Sequence, residues 1–351
     1  MKFKNVMKKS NSKLVVAMAM VASTLAVSCN DNGDDNNLIM GDVKLSLFAS
    51  NNSNGDITVY DVTSSQDISS KTLVTSSTAA DGVYYDSESE SVFQASRSGN
   101  SLEGFVNINS ILGGTSISVG VTGSSDMMSP REVAVNGNLY VVADNADVDG
   151  DMNTPDGTLY IYEMTNGSFT LRNTVVTDFK LWGITFNGND LYAVVDATNE
   201  LAVFSNFLSN TTNTSISASK RIAIEGIVRT HGITYDVGSD VLVMTDIAMA
   251  SNGQDDGGFH IIKDFSNKLN ATENGGMISL ANQTRVAGSN TMMGNPVDVA
   301  YDADSEIVYI AEAGNGGGRI LAFNNIGSGG NISPMFNSDL MAASSVYLAK
   351  E

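Results

Sequence analysis

The chain has 351 residues, 42% of them hydrophobic, and a formal net charge of −20. A surface this acidic repels nucleic acid and anionic lipid headgroups, which excludes functions that rest on a basic face. The apolar content is ample for a core, and four prolines with no long helical periodicity point to an all-β chain, either two domains or one long repeat fold.

Residues 1–28 read as a targeting segment. Lys2, Lys4, Lys8, Lys9 and Lys13 precede an apolar run over 14–27 that ends in small residues. That run is too short to span a bilayer comfortably and suits a signal-peptide core. Cys29 follows it and is the only cysteine, so no disulfide forms within the chain. The stretch Leu25-Ala26-Val27-Ser28-Cys29 resembles a bacterial lipoprotein signal, although its leucine stands four rather than three places before the cysteine. The resemblance implies that Cys29 is lipidated and becomes the first mature residue of an outer-membrane lipoprotein, on the periplasmic side or at the cell surface. Residues 29–42 form a polar acidic tether that cannot bury anything. Asp31, Asp34 and Asp35 within it are similar to surface-export signals of Bacteroidetes lipoproteins. Loss of 1–28 removes five lysines and no acids, taking the net charge from −20 to −25. Membrane attachment is therefore expected through the lipid alone.

From residue 43 onward, apolar runs of strand length alternate with turns rich in Asp, Asn, Ser and Gly. The first unit has strands at 45–48, 57–60 and 72–75 and lacks an inner strand. The second is complete, with strands at 82–86, 91–95, 102–106 and 116–121. The third takes 133–135, 139–144, 159–162 and 169–176, and the fourth 183–186, 191–196, 201–204 and 221–224. The fifth takes 232–236, 241–246, 259–262 and 283–286. The sixth takes 297–301, 307–311 and 320–323, with 332–336 as its outer strand. A lone strand at 344–348 ends the chain. One missing strand at the start and one spare at the end are what a closed β-propeller needs, because the C-terminal strand completes the first blade and leaves no open edge. The equivalent positions Gly82, Glu132, Gly183, Gly232 and Asp298 lie 50, 51, 49 and 66 residues apart, the last gap carrying an insertion. The expected fold is a single six-bladed propeller of four-stranded antiparallel blades over 43–351.

Gly232-Ile233-Thr234-Tyr235-Asp236, Val308-Tyr309-Ile310-Ala311-Glu312 and Arg319-Ile320-Leu321-Ala322-Phe323 carry a resemblance to NHL repeats. More broadly they resemble six-bladed propellers that include the gluconolactonase-like family. That family places acid and amide side chains about one divalent ion at the channel mouth, and those ligands do not map residue by residue here. Propellers host many functions, so the resemblance speaks to architecture.

In such a blade, the loop into the inner strand and the turn between the second and third strands share one face. That face gathers Asp81, Arg131, Trp182, His231 and Val297 around the channel mouth, and the first four are the candidate ligand-binding residues. It also gathers Asp144, Asp196, Asp246 and Glu312 at second-strand ends, where a carboxylate suits hydrogen bonding to the next turn. His260 falls on a third strand and is assigned no role. Neither histidine has an identifiable Ser or Cys partner, so no nucleophilic dyad or triad can be argued, and catalytic residues are unassigned.

The sharpest local motif is the loop 145–156. Asn145, Asp147 and Asp149 match the first three ligand positions of a calcium loop, Gly150 its sharp turn, Asp151 a carbonyl donor and Asp156 its closing acid. Asn145 and Asp156 depart from the usual Asp and Glu. Calcium is the one cofactor expected. A second loop, 248–258, carries Asn252, Asp255 and Asp256 without a ligand spacing. Met127-Met128 and Met292-Met293 enter inner strands near the mouth, where methionine offers an adaptable apolar surface. Together these features favour a lipid-anchored binding or scaffold module for a protein, peptide or glycan. The alternative is a metal-dependent hydrolase or lactonase.

Overall fold

Alternating apolar and polar residues make strands, and the Asp-, Asn- and Gly-rich turns between them fold each group back as a sheet. Six sheets built in this way form a six-bladed β-propeller. The structure, a computed structural model, describes residues 43–151, 153–249 and 253–351. The signal segment, Cys29 and the acidic tether lie outside the described residues.

Blade 1 runs, from the channel outward, Ala343–Lys350, Leu45–Asn51, Ile57–Asp61 and Ser69–Val74. The C-terminal strand is thus its inner strand, paired antiparallel from Leu45 opposite Lys350 to Asn51 opposite Ala343. Blade 2 has Ala80–Asp86, Ser91–Ser96, Ser101–Phe105 and Val121–Thr122. Blade 3 has Pro130–Asn136, Leu139–Asp144, Gly157–Thr165 and Ser168–Thr177. Blade 4 has Leu181–Asn187, Asp190–Val195, Glu200–Phe204 and Lys220–Ile224. Blade 5 has Ile233–Asp236, Val241–Asp246, Gly258–Lys263 and Thr284–Ala287. Blade 6 has Pro296–Asp302, Ile307–Glu312, Arg319–Phe323 and Phe336–Asp339.

Two outer strands differ from the sequence expectation. Residues 116–121 are not one strand. Thr115–Ser116 pairs in parallel with Ser69–Val74 of blade 1, and only Val121–Thr122 pairs with blade 2. In blade 6 the outer strand is Phe336–Asp339, while Ile332 packs into the core between blades 5 and 6. The first difference belongs to a repeated device. Thr214–Ile216 adds in parallel to blade 3, Met277–Ile278 to blade 4, and Gly330 bridges to Val286 of blade 5. Each piece comes from the connection of the following blade and covers part of an exposed outer edge. The insertion in blade 5 also carries a short helix, Phe265–Ala271, with Phe265 and Leu269 buried.

The core lies between blades. Six apolar clusters each join two neighbours, such as Val141, Leu159, Leu181 and Leu191 between blades 3 and 4. Each fully buried aliphatic side chain of this kind contributes about 1.5–3 kcal/mol relative to exposure. Nearer the axis the inner strands touch directly. A Cβ at Gly183 would lie 2.5 Å from the His231 carbonyl oxygen, and one at Gly232 would lie 2.5 Å from the Asp298 Cα. Glycine there lets the Gly183 amide donate to the His231 carbonyl at 2.9 Å, tying blade 4 to blade 5. Below this constriction the channel holds a cavity of about 330 Å³ whose wall includes Tyr84, Glu132, Asp298, Tyr301 and Tyr347.

Candidate functional site

The second-strand acids separate into two kinds. Asp144 accepts from the amides of Met128 at 2.6 Å, Ser129 at 3.0 Å and Ala146 at 2.8 Å. Asp246 accepts from Val228, Arg229 and Ala248. Glu312 accepts from Gly294, Asn295, Gly314 and Asn315. Each of these three carboxylates therefore clasps the loop entering its own inner strand to the turn leaving its second strand. Their work is local backbone chemistry.

Asp196 departs from this pattern. Among the described residues its only backbone donor is Ala197, and its other partners are side chains: Asn145 Nδ2 at 3.1 Å, Arg229 Nη2 at 2.8 Å and His231 Nε2 at 3.2 Å. Burial pushes its carboxyl up. The hydrogen bonds from His231, Asn145 and Arg229 outweigh that and hold it well below the usual carboxylate range.

From Asp196 a continuous chain of contacts crosses the mouth. The His231 ring stacks on Trp182 with centroids 3.6 Å apart and planes 4° from parallel. The Arg131 guanidinium lies 4.1 Å from the Trp182 ring centre. An imidazole and a guanidinium cannot share one indole face at these distances, so Trp182 is sandwiched between blade 3 and blade 5. Arg131 continues to Asp81 at 3.0 Å, and Asp81 also takes Asn52 Nδ2 at 2.7 Å and lies 3.7 Å from Arg97. Burial raises the Asp81 carboxyl against the pull of Arg131 and Arg97.

The structure thus brings Asp81, Arg131, Trp182 and His231 together in one line. Val297 does not join it, being buried in the core between blades 6 and 1. Burial pushes the His231 imidazole down to about 4, against the pull of Asp196, so the ring is neutral at pH 7. With Nε2–H donated to Asp196, Nδ1 is buried without a hydrogen-bond partner among the described residues. His260 is held apart from this line, its Nδ1 2.7 Å from Gln283 Oε1.

Sequence reasoning passed over two residues just below the mouth. Glu132 and Asp298 occupy the position that is glycine in three other blades, and their side chains line the channel cavity. Asp298 accepts from Ser345 Oγ at 2.7 Å and from the Val346 amide at 2.8 Å, which fastens the closing strand to blade 6. Burial pushes its carboxyl up to about 7, opposed by those donors. Glu132 is also raised, by burial first and by the charge of Asp298 second. The signal that could have found them was their departure from glycine, which served only to count the repeat.

The loop 145–156 behaves as two pieces. Asp147, Asp149 and Asp156 bring carboxylate oxygens within 4.8 Å of one another, with Lys180 Nζ 3.9 Å from Asp147. Asn145 instead points to Asp196 and to the Leu181 carbonyl, so it belongs to the mouth. The Asp151 carbonyl accepts from the Thr154 amide at 2.9 Å, and its side chain caps Asn153. In the second loop Asn252 lies outside the described residues. The methionine pairs split: Met127 and Met293 are buried, whereas Met128 is 74% exposed.

No family model and no curated protein matches the chain. Among solved structures it is similar to one of a nidogen/laminin complex. The identity is 12%, the match covers 88% of this chain and 98% of the other, and the TM-score is 0.57. It is also similar to a protein of unknown function from Bacteroides caccae, at 9% identity over 87% and 98% of the two chains, with a TM-score of 0.53. A protein from Bacteroides uniformis, provisionally named a 6-phosphogluconolactonase, is 10% identical over 89% and 86%, with a TM-score of 0.50. At such identities the likeness is one of fold.

Proposed function

We propose that the protein is a binding module that takes its ligand at the loop face, with the mouth as the recognition centre. One observation carries the reading. Charged and aromatic side chains from four successive blades converge in a single line, Asp81–Arg131–Trp182–His231–Asp196, whereas Asp144, Asp246 and Glu312 bind chiefly the backbone of their own loops, Asp246 also lying 3.9 Å from Arg285. Arginine and tryptophan at the centre of a surface, ringed by other side chains, are the composition of energetic hot spots. A metal-dependent hydrolase or lactonase fits less well. Asp81 and Asp196 are each paired with arginine, and that donor set does not suit a divalent cation.

Trp182 is the only tryptophan, so its emission reports directly on the mouth. Titration with a panel of peptides, glycans and lactones should shift that emission for a ligand class without turnover. Chelator-sensitive lactone hydrolysis would instead support the hydrolase. No response to any class, with the fold intact, would sink the binding reading.

The module is exported and held to the outer membrane by lipid on Cys29. Cys29→Ser is expected to move the protein into the soluble fraction, and unchanged membrane association refutes the anchor. Calcium is held in the loop by Asp147, Asp149 and Asp156, and it stiffens the connection beside the mouth. Calorimetry should show the calcium affinity of Asp149→Ala falling about tenfold or more, one charged ligand being worth that much. Equal affinity in both proteins removes this loop as the site.

A further inference from the structure

We infer that the mouth takes an acidic segment of a protein partner, an inference that rests on the binding reading above. The arginines of this acidic chain concentrate at the mouth, although the neighbouring loop 145–156 is itself acidic. Although the net charge is −20, three of the seven arginines, Arg97, Arg131 and Arg229, meet at the mouth. They outnumber the two buried acids that they hold. Arg97 and Arg229 each keep 34% of the side chain exposed. Arg229 spends Nε and Nη2 on Asp196, which leaves Nη1 without a partner among the described residues. A half-buried guanidinium with an unspent amino group suits a carboxylate.

Two further observations choose a polypeptide over an acidic glycan. Sugars are held by stacking on an open aromatic face, and both faces of Trp182 are already covered, by Arg131 and His231. On loops of the same face, Met128, Val228, Met249 and Met341 stand exposed. Unbranched methionine side chains repack around aliphatic groups. A segment whose carboxylates reach the arginines and whose aliphatic neighbours rest on this rim matches both parts of the surface.

The test uses the full chain at near-physiological salt and a short fluorescent peptide of alternating Glu and Leu, read by anisotropy. The peptide should bind, and its Gln–Leu counterpart should bind about tenfold more weakly. Arg97→Gln with Arg229→Gln should weaken the Glu–Leu peptide by about a hundredfold, at roughly tenfold for each charged contact. Those arginines also hold buried acids, so Met128→Ser with Met249→Ser supplies an independent measure at exposed positions. It should weaken binding severalfold without altering the fold. Failure of the Glu–Leu peptide to bind, equal affinity for the two peptides, or unchanged affinity in both double variants overturns the inference. So does tighter binding of polygalacturonate than of the peptide. If the arginine variants abolish that polygalacturonate binding, the loop face still stands as a binding surface and only the partner class is wrong.

Discussion

Replacing Glu312 with alanine is expected to lower the unfolding free energy by about 3–5 kcal/mol. The carboxylate is fully buried and accepts from four amides, two on each side of the clasp, at 2.7 to 3.0 Å. Alanine removes every acceptor at once. Each buried amide left unpaired costs about 1–3 kcal/mol, part of which water entering the vacated space recovers. Glu312→Gln keeps one oxygen but turns an amino group toward amides that already donate, so its loss should be intermediate. Asp339→Ala is the control. Its side chain is 92% exposed, and its stability should stay within about 0.5 kcal/mol of wild type. Urea unfolding followed by circular dichroism measures all three. A wild-type midpoint for Glu312→Ala would mean that the clasp contributes nothing to holding blade 6.

The same clasp explains what could be read before the fold was known. Strand-length runs ending in Asp144, Asp246 and Glu312 carry their own turn chemistry, so the blades and their order were visible in one dimension. Closure was visible as well, because the unpaired run at 344–348 answered the strand missing before Leu45. Hidden features depend on neighbours distant in sequence. Thr115–Ser116 and Met277–Ile278 are two-residue strands with no periodicity, and their partners belong to the preceding blade. Asp196 reads like its three counterparts, and only the approach of Asn145, Arg229 and His231 from adjoining blades separates it from them. The mouth itself is partly legible, since the residues before the glycine positions differ in kind from blade to blade. The sandwich of Trp182 was not, because stacking order follows from packing between blades. Asn145 shows the opposite case: a motif position satisfied by residue type whose side chain serves another site.

Glu132→Gln should stabilise the protein at pH 8 and flatten its dependence on pH. In the native channel Asp298 has its carboxyl raised from 3.8 to about 7 by burial, and Glu132 is raised above 4.5 by burial and by Asp298. Between these ordinary values and the raised ones, the native state binds more protons than the unfolded state. Stability therefore falls as pH rises through that interval, and for Asp298 the full penalty above pH 7 is on the order of 4 kcal/mol. His231 acts in the opposite direction. Its value is pushed from 6.5 to about 4, so it withdraws stability as pH falls through that range. The His231 contribution is common to wild type and variant, so the difference between their urea-unfolding free energies at pH 5, 6, 7 and 8 isolates the acid pair. Without the neighbouring charge, Asp298 ionises more readily and keeps its bonds to Ser345 and Val346. The variant's advantage should therefore be small at pH 5 and grow toward pH 8. Parallel curves would show that Glu132 and Asp298 do not share the cost of ionising in the channel. A growing advantage would show that this cost is set where the closing strand is fastened, directly below the side chains that meet at the mouth.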